Sequence, residues 1–322
     1  MEREAAGKPT AGISVRASLR TLAVALACLG AGISHAQNSD ADSAAALRAR
    51  YSLLSDQLSH NQFQRPIYLE SGETAGSVTG DIHALIYSPF ATVSVALNSA
   101  DNWCNIMMLH LNTKYCRASI ANQKEVLNVS IGKKYDQPLD QAYRVAFAYR
   151  VAAQTPNYLQ LGLNADEGPL GTRNYRIVLE AVPLENGRTF IHLSYSYAYG
   201  LVGRLAMQAY LGTIGRAKVG FTVAGTQPDG QPLLIGGMRG VVERNTMRYF
   251  LAIDAFLGAL SEPPQAQLEK RLYDWFAAIE RYPRQLHEMD EGAYLDMKRK
   301  ETRRQQAGLP EVGAGRLRVA TR

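Results

Sequence analysis

The strongest constraint on this chain is a long series of strand-patterned segments that ends in one helix of about 20 residues. From Ser77 onward, Val78, Gly80, Ile82, Ala84 and Ile86 recur with period two, the pattern of a strand. Ser88-Pro89 then reads as a helix start, with Phe90, Val93, Ala96 and Leu97 as the apolar face. Asn98 to Asn102 interrupt it, and a second short helix begins near Trp103, carrying Met107, Met108 and Leu111. Strand patterns follow over Tyr115–Ala121, Glu125–Ile131, Ala142–Ala152, Tyr158–Asn164, Asn174–Pro183 and Thr189–Tyr199. Glu185-Asn186-Gly187 supplies hairpin punctuation. Leu201–Leu211 reads as a short helix, Lys218–Ala224 as a strand and Leu233–Ile235 as a last edge strand. Val242, Thr246, Tyr249, Ile253, Phe256 and Leu260 then form one helical stripe, stopped by Pro263 and Pro264. A bent antiparallel sheet cannot bury its concave side alone, and this helix is the natural filler. The expected fold class is α+β: a curved antiparallel sheet gripping a long carboxy-terminal helix, with added helices beyond it.

Charge narrows the function. The chain has 35 Lys and Arg against 29 Asp and Glu, yet residues 37–269 carry 19 of each. A neutral body lacks the basic face that nucleic acid requires, so no nucleic-acid partner is expected. The excess lies in residues 1–36 and 270–322.

Arg16 and Arg20 precede an apolar run from Thr21 to Ile33, and Ser34-His35-Ala36 places small residues three and one before Gln37. That order is an export signal cleaved near Ala36/Gln37, which sends the product to the periplasm or outside the cell. Leu26-Ala27-Cys28 loosely matches a lipidation box and keeps that second outcome open. Five segments result: a signal peptide over 1–36, a polar and helical segment over 37–76 and the main domain over 77–262. A helical extension over 263–306 and a disordered tail over 307–322 complete the chain. In an oxidising compartment Cys104 and Cys116, twelve apart, most simply form one disulfide, the alternative being two buried thiols. A metal would need two further ligands, and neither a CxxC motif nor clustered histidines supply them.

Ser88-Pro89-Phe90-Ala91-Thr92-Val93 with Leu97, then Asn102-Trp103-Cys104, resemble the opening helix pair of the START-like (helix-grip, SRPBCC) superfamily. Gly240 to Tyr249 stand where that superfamily's closing helix begins, and the likeness covers roughly residues 77–260. It implies a hydrophobic small molecule or lipid bound between sheet and helix, with room for transient contact with a membrane. Lipocalin-like and cystatin-like sheets remain alternatives, and the oligomeric state is open.

The candidate cavity residues are mostly aromatic. Tyr195, Tyr197 and Tyr199 share one face of a strand, and Phe147 and Tyr149 share a face of another. Tyr249 and Ile253 belong to the helical stripe, and His192 is the polar candidate. Rings bury area while hydroxyls orient a ligand, although such residues also fill ordinary cores. Arg204 and Arg239, with Arg244 and Arg248, suit a carboxylate or phosphate head group. The alternative for Arg244 and Arg248 is surface ion pairing with Asp or Glu from the sheet or the tail, with Asp81 and Glu180 as available strand acids. G-x-S-x-G, H-E-x-x-H and G-x-G-x-x-G are absent from the sequence, and no cofactor or catalytic residue is expected. Two competing functions stay open. One is an enzyme (cyclase, dehydratase or hydrolase) using Tyr197, His192 and Glu180, with His83 and His192 as a proton-transfer pair if both face inward. The other is an envelope interaction protein whose tail is the working surface.

Overall fold

The structure, a computed structural model, describes residues 40–200 and 218–308. Helices α1 (40–53) and α2 (Ser55–Ser59) lead into strands β1 (Ile67–Glu73) and β2 (Ser77–Ile86). Helices α3 (Phe90–Leu97) and α4 (Ala100–Leu109) follow. Six strands then run in succession: β3 (Thr113–Ala121), β4 (Lys124–Ile131), β5 (Tyr143–Thr155), β6 (Tyr158–Glu167), β7 (Thr172–Pro183) and β8 (Thr189–Tyr199). Beyond them lie β9 (Val223–Thr226), β10 (Pro232–Leu234), the long helix α5 (Gly237–Gly258), and α6 (Pro264–Ile279), α7 (Pro283–Leu286) and α8 (Glu291–Ala307).

Eight strands form one sheet in the order β1-β2-β8-β7-β6-β5-β4-β3, with every neighbouring pair antiparallel. The helix pair α3–α4 carries the chain from β2 to the far edge, and the meander from β3 returns until β8 closes on β2. The curved sheet and the long helix packed on it form the expected α+β helix-grip arrangement, with the added carboxy-terminal helices in place. Turn chemistry follows the sequence at Asn186 and Gly187, which take φ of 63° and 67° between β7 and β8. Those left-handed conformations are the ones Asn-Gly accommodates.

Helix α5 lies over β1, β2 and β8, while α4 covers β3 and β4. Gly80 permits the closest approach, because a Cβ there would run into Thr246 Oγ1 of α5. Val242, Thr246 and Ile253 are fully buried in this contact. The Cys104–Cys116 disulfide ties α4 to β3. Trp103 is fully buried, and its indole N–H donates to Leu97 O at 2.9 Å, locking α4 against the end of α3.

Three local expectations change. Strand β1, at the sheet edge, was not foreseen and falls within the 37–76 segment. It lacks alternation, since only Ile67 is fully buried among half-buried polar neighbours. Pro89 is itself the residue capping α3, and Ser88 contributes its carbonyl to the Thr189 hydroxyl instead of a side-chain cap. Residues 218–222 are not a strand. The strand begins at Val223 and pairs with β10 in a separate ribbon, outside the main sheet.

The carboxy-terminal helices share the main core. Leu272, Trp275, Phe276, Ile279, Tyr294 and Met297 join the same buried cluster as α4 and α5. Trp275 Nε1 donates to Arg248 O at 3.2 Å and Tyr294 OH to Leu109 O at 3.1 Å. Helix α1 covers the outer face of the sheet, where Ala44 and Leu47 pack with Tyr158, Val182 and Phe190 in a second, smaller core. The export leader, Cys28, the helix expected over Leu201–Leu211 and Arg204 lie outside the described residues. Among the described residues no helix is long and apolar enough to cross a membrane.

Candidate functional site

Strand β8 alternates: Ile191, Leu193, Tyr195, Tyr197 and Tyr199 are buried, and His192, Ser194, Ser196 and Ala198 lie on the opposite face. The buried tyrosines meet rings from two other elements, and a third joins through Tyr175. Tyr175 of β7 stacks on Tyr197 at 5.3 Å, and Phe147 of β5 meets Tyr175 edge-on at 6.2 Å. Tyr249 of α5 contacts Tyr195 at 5.2 Å. Tyr195, Tyr197, Phe147 and Tyr249 are therefore brought together, with Tyr175 added. Burial pushes the phenols of Tyr175, Tyr195, Tyr197 and Tyr249 upward, so all four stay neutral and keep a hydrogen to donate.

Exposure varies within this core. Tyr249 keeps 9%, Tyr195 5% and Tyr197 4%, whereas Leu193, Ile177, Leu179, Val242 and Ile253 keep none. Ile253 is a packing residue and not part of a ligand wall. Tyr149 also has a structural task, donating to Leu97 O at 3.0 Å, and Tyr199 donates to Glu73 Oε1 at 3.0 Å.

A charged group borders the aromatic one. Arg248 Nη2 donates to Glu288 Oε1 at 2.8 Å and to Leu286 O at 3.3 Å, and Lys134 Nζ reaches the same carboxylate oxygen at 2.5 Å. Lys218 donates to His287 O, and Arg244 to Val219 O at 3.1 Å. Burial lowers the Lys134 and Lys218 pKa values, and the neighbouring arginines push in the same direction. Burial opposes the charge of Glu288, but Arg248 and Lys134 outweigh it and hold the carboxyl below its usual range. Arg244 also acts on Tyr197, which links the two groups. Arg239 is held by Ser71 Oγ at 3.1 Å.

Glu243 is fully buried, yet it is not a general base. Its carboxylate accepts from Phe221 N (2.5 Å), Thr222 N (3.0 Å), Thr222 Oγ1 (2.7 Å) and Ser71 Oγ (2.6 Å). Four donors fill its lone-pair positions and fasten residues 221–222 to α5 and β1.

His192 is on the outer face, so it does not line the grip. Period-two geometry separates it from the odd-numbered tyrosines of its own strand. Its Nε2 meets Asp81 Oδ1 at 3.0 Å and its Nδ1 meets Glu180 Oε2 at 2.9 Å. Tyr158 OH donates to the other Glu180 oxygen at 2.5 Å. Burial opposes the imidazolium, but the two carboxylates prevail and raise its pKa to about 9. His83 stacks on it with centroids 4.4 Å apart, and burial followed by the His192 charge lowers its pKa to about 3. A catalytic imidazole presents one nitrogen to an orienting group and the other to substrate, whereas both nitrogens of His192 are engaged by carboxylates. The sheet also separates His192 and Glu180 from Tyr197, which dissolves the expected catalytic trio. Asp81 and Glu180 serve His192 and not Arg244 or Arg248.

His110 adds a polar side chain to this region. It is buried at the end of α4 with its ring on Tyr249 at 5.2 Å. Among the described residues no group of His, Cys, Asp or Glu side chains forms a metal-binding cluster. Surface grooves of about 410 and 390 Å³ lie elsewhere, the first containing the Arg65–Asp254 ion pair and the second bordered by α1 and α2.

No protein-family model matches the chain, and no curated protein matches it in sequence. Among solved structures it is similar to Ara h 8.0201, at 10% identity, covering 60% of this chain and 99% of that one, with a TM-score of 0.32. It is similar to human StAR-related lipid transfer protein 5 at 11% identity, covering 55% and 90%, with a TM-score of 0.29. Truncated norcoclaurine synthase from Thalictrum flavum gives 11% identity, 45% and 91% coverage and a TM-score of 0.29. Overlaps of this size lend no ligand or activity to the chain. The fold description stands on its own strand order and helix placement.

Proposed function

We propose that the protein is an exported START-like binder or carrier of a hydrophobic small molecule or lipid, held between the sheet and α5. The observation that carries this reading is the cluster of aromatic rings from β5, β7, β8 and α5 that meet between the sheet and the long helix. Neutral phenols around an apolar floor suit a ligand that is mostly hydrocarbon with few polar atoms. Export rests on the leader pattern ahead of Gln37, and the Cys104–Cys116 bond supports it because such bonds persist in oxidising compartments.

Native mass spectrometry of protein recovered from the envelope fraction, followed by solvent extraction, tests both parts. The expected result is an amino terminus near Gln37 and one apolar molecule per chain that exchanges with an added hydrophobic fluorescent probe. Folded protein that carries nothing and takes up no probe would show that the tyrosines merely fill a core. A retained Met1 in a cytoplasmic product would remove the export half.

A further inference from the structure

His110 lies where the aromatic and charged groups meet. Its Nδ1 accepts from Asn112 N at 3.2 Å, and burial, reinforced by the neighbouring cations, holds its pKa well below the usual histidine range. The neutral ring therefore carries its hydrogen on Nε2. That Nε2 is buried and has no hydrogen-bond partner among the described residues. A buried donor left in this condition costs the full desolvation of an N–H group, so it points to an acceptor that the protein itself does not supply.

The charges around it define the acceptor. Arg248, Lys298, Lys134 and Lys114 all act on His110. Lys298 and Lys114 are bound by Glu301 at 2.7 and 3.0 Å. Lys134 and Arg248 meet at Glu288, with Lys218 acting on the same carboxylate and Arg244 acting on both Lys134 and Lys218. An oxygen that accepts from His110 Nε2 thus has more cations than carboxylates around it and lies next to the Tyr249 ring.

We infer that His110 Nε2–H, with Lys134 and Arg248, forms a head-group subsite that takes the carboxylate or phosphate of an anionic amphiphile whose tail lies among the tyrosines. This deepens the binding reading above and rests on it. A charge-assisted hydrogen bond to the buried imidazole fixes the anion, and the basic side chains make the site favour charged over neutral ligands.

The test uses the ligand-stripped protein with dodecanoate, dodecyl phosphate, dodecanol and inorganic phosphate as probes in calorimetric titrations. Dodecanoate or dodecyl phosphate should bind at least roughly tenfold more tightly than dodecanol, and the tighter of the two names the anion. His110→Phe keeps a ring on Tyr249 and removes the donor, and Lys134→Gln removes one cation from a loop. Each should erase roughly tenfold of the anion's advantage over dodecanol. A wild-type near-ultraviolet circular dichroism spectrum shows that the variants are folded. Equal affinity of wild type for dodecanoate, dodecyl phosphate and dodecanol overturns the subsite and leaves hydrophobic binding standing. Variants with the full anion preference also overturn it, as does inorganic phosphate binding as tightly as dodecyl phosphate. If none of the four binds, the ligand reading itself fails.

Discussion

His192 holds two carboxylates at once, and stability should register this as pH changes. Its folded pKa of about 9 lies above the ordinary 6.5, so its contribution is complete below about 6.5 and is lost as pH rises through 9. Asp81 and Glu180 are lowered from 3.8 and 4.5 by the hydrogen bonds and charge of His192, which outweigh their burial. Their contribution is present above those values and lost in acid. His83, lowered to about 3, favours the neutral ring and loses stabilisation as pH falls from 6.5. The four groups together give a maximum near pH 6.5. Urea midpoints measured across pH 4 to 10 should show an alkaline decline in wild type that is reduced in His192→Gln, and identical declines would reject the assignment. The face of His192 was legible from its even number beside the odd-numbered tyrosines. His110 was not legible, because nothing in sequence brings residue 110 to residue 249.

Helix α8 illustrates why an element rich in charge can belong to a core. Lys114 of β3, Lys298 and Glu301 of α8 are all fully buried, and Lys298 also donates to His110 O and Thr113 O at 2.8 Å. Glu301→Gln keeps the shape but leaves two buried ammonium groups without their carboxylate, a change of about 3–5 kcal/mol. Chemical denaturation should show that loss, and a loss below about 1 kcal/mol would mean that water reaches the lysines. The sequence marked these residues as a helical extension, but the buried charge was not readable, since the partner of Glu301 comes from a strand 187 residues away. Strong periodicity made the meander and α5 readable, whereas β1 was hidden by its position at the edge, where one row of neighbours is missing.

At the scale of the molecule, sheet, long helix and carboxy-terminal helices share one buried core. Ending the chain before Pro264 removes Trp275, Phe276 and Tyr294 from a shared core and uncovers α4 and α5. The shortened chain should lose its near-ultraviolet circular dichroism and bind hydrophobic dyes, and a native-like spectrum would instead make the helices an independent appendage. The order of strands carries a further consequence. Strand β2 pairs with β1 locally, but its other side waits for β8, as Asp81 and His192 are 111 residues apart. A chain delivered amino terminus first therefore carries a hairpin with an open edge through most of its emergence. Two molecules emerging side by side can satisfy that edge reciprocally, each lending its β8 to the other's β2, so crowding during delivery favours strand-exchanged dimers built from native pairings.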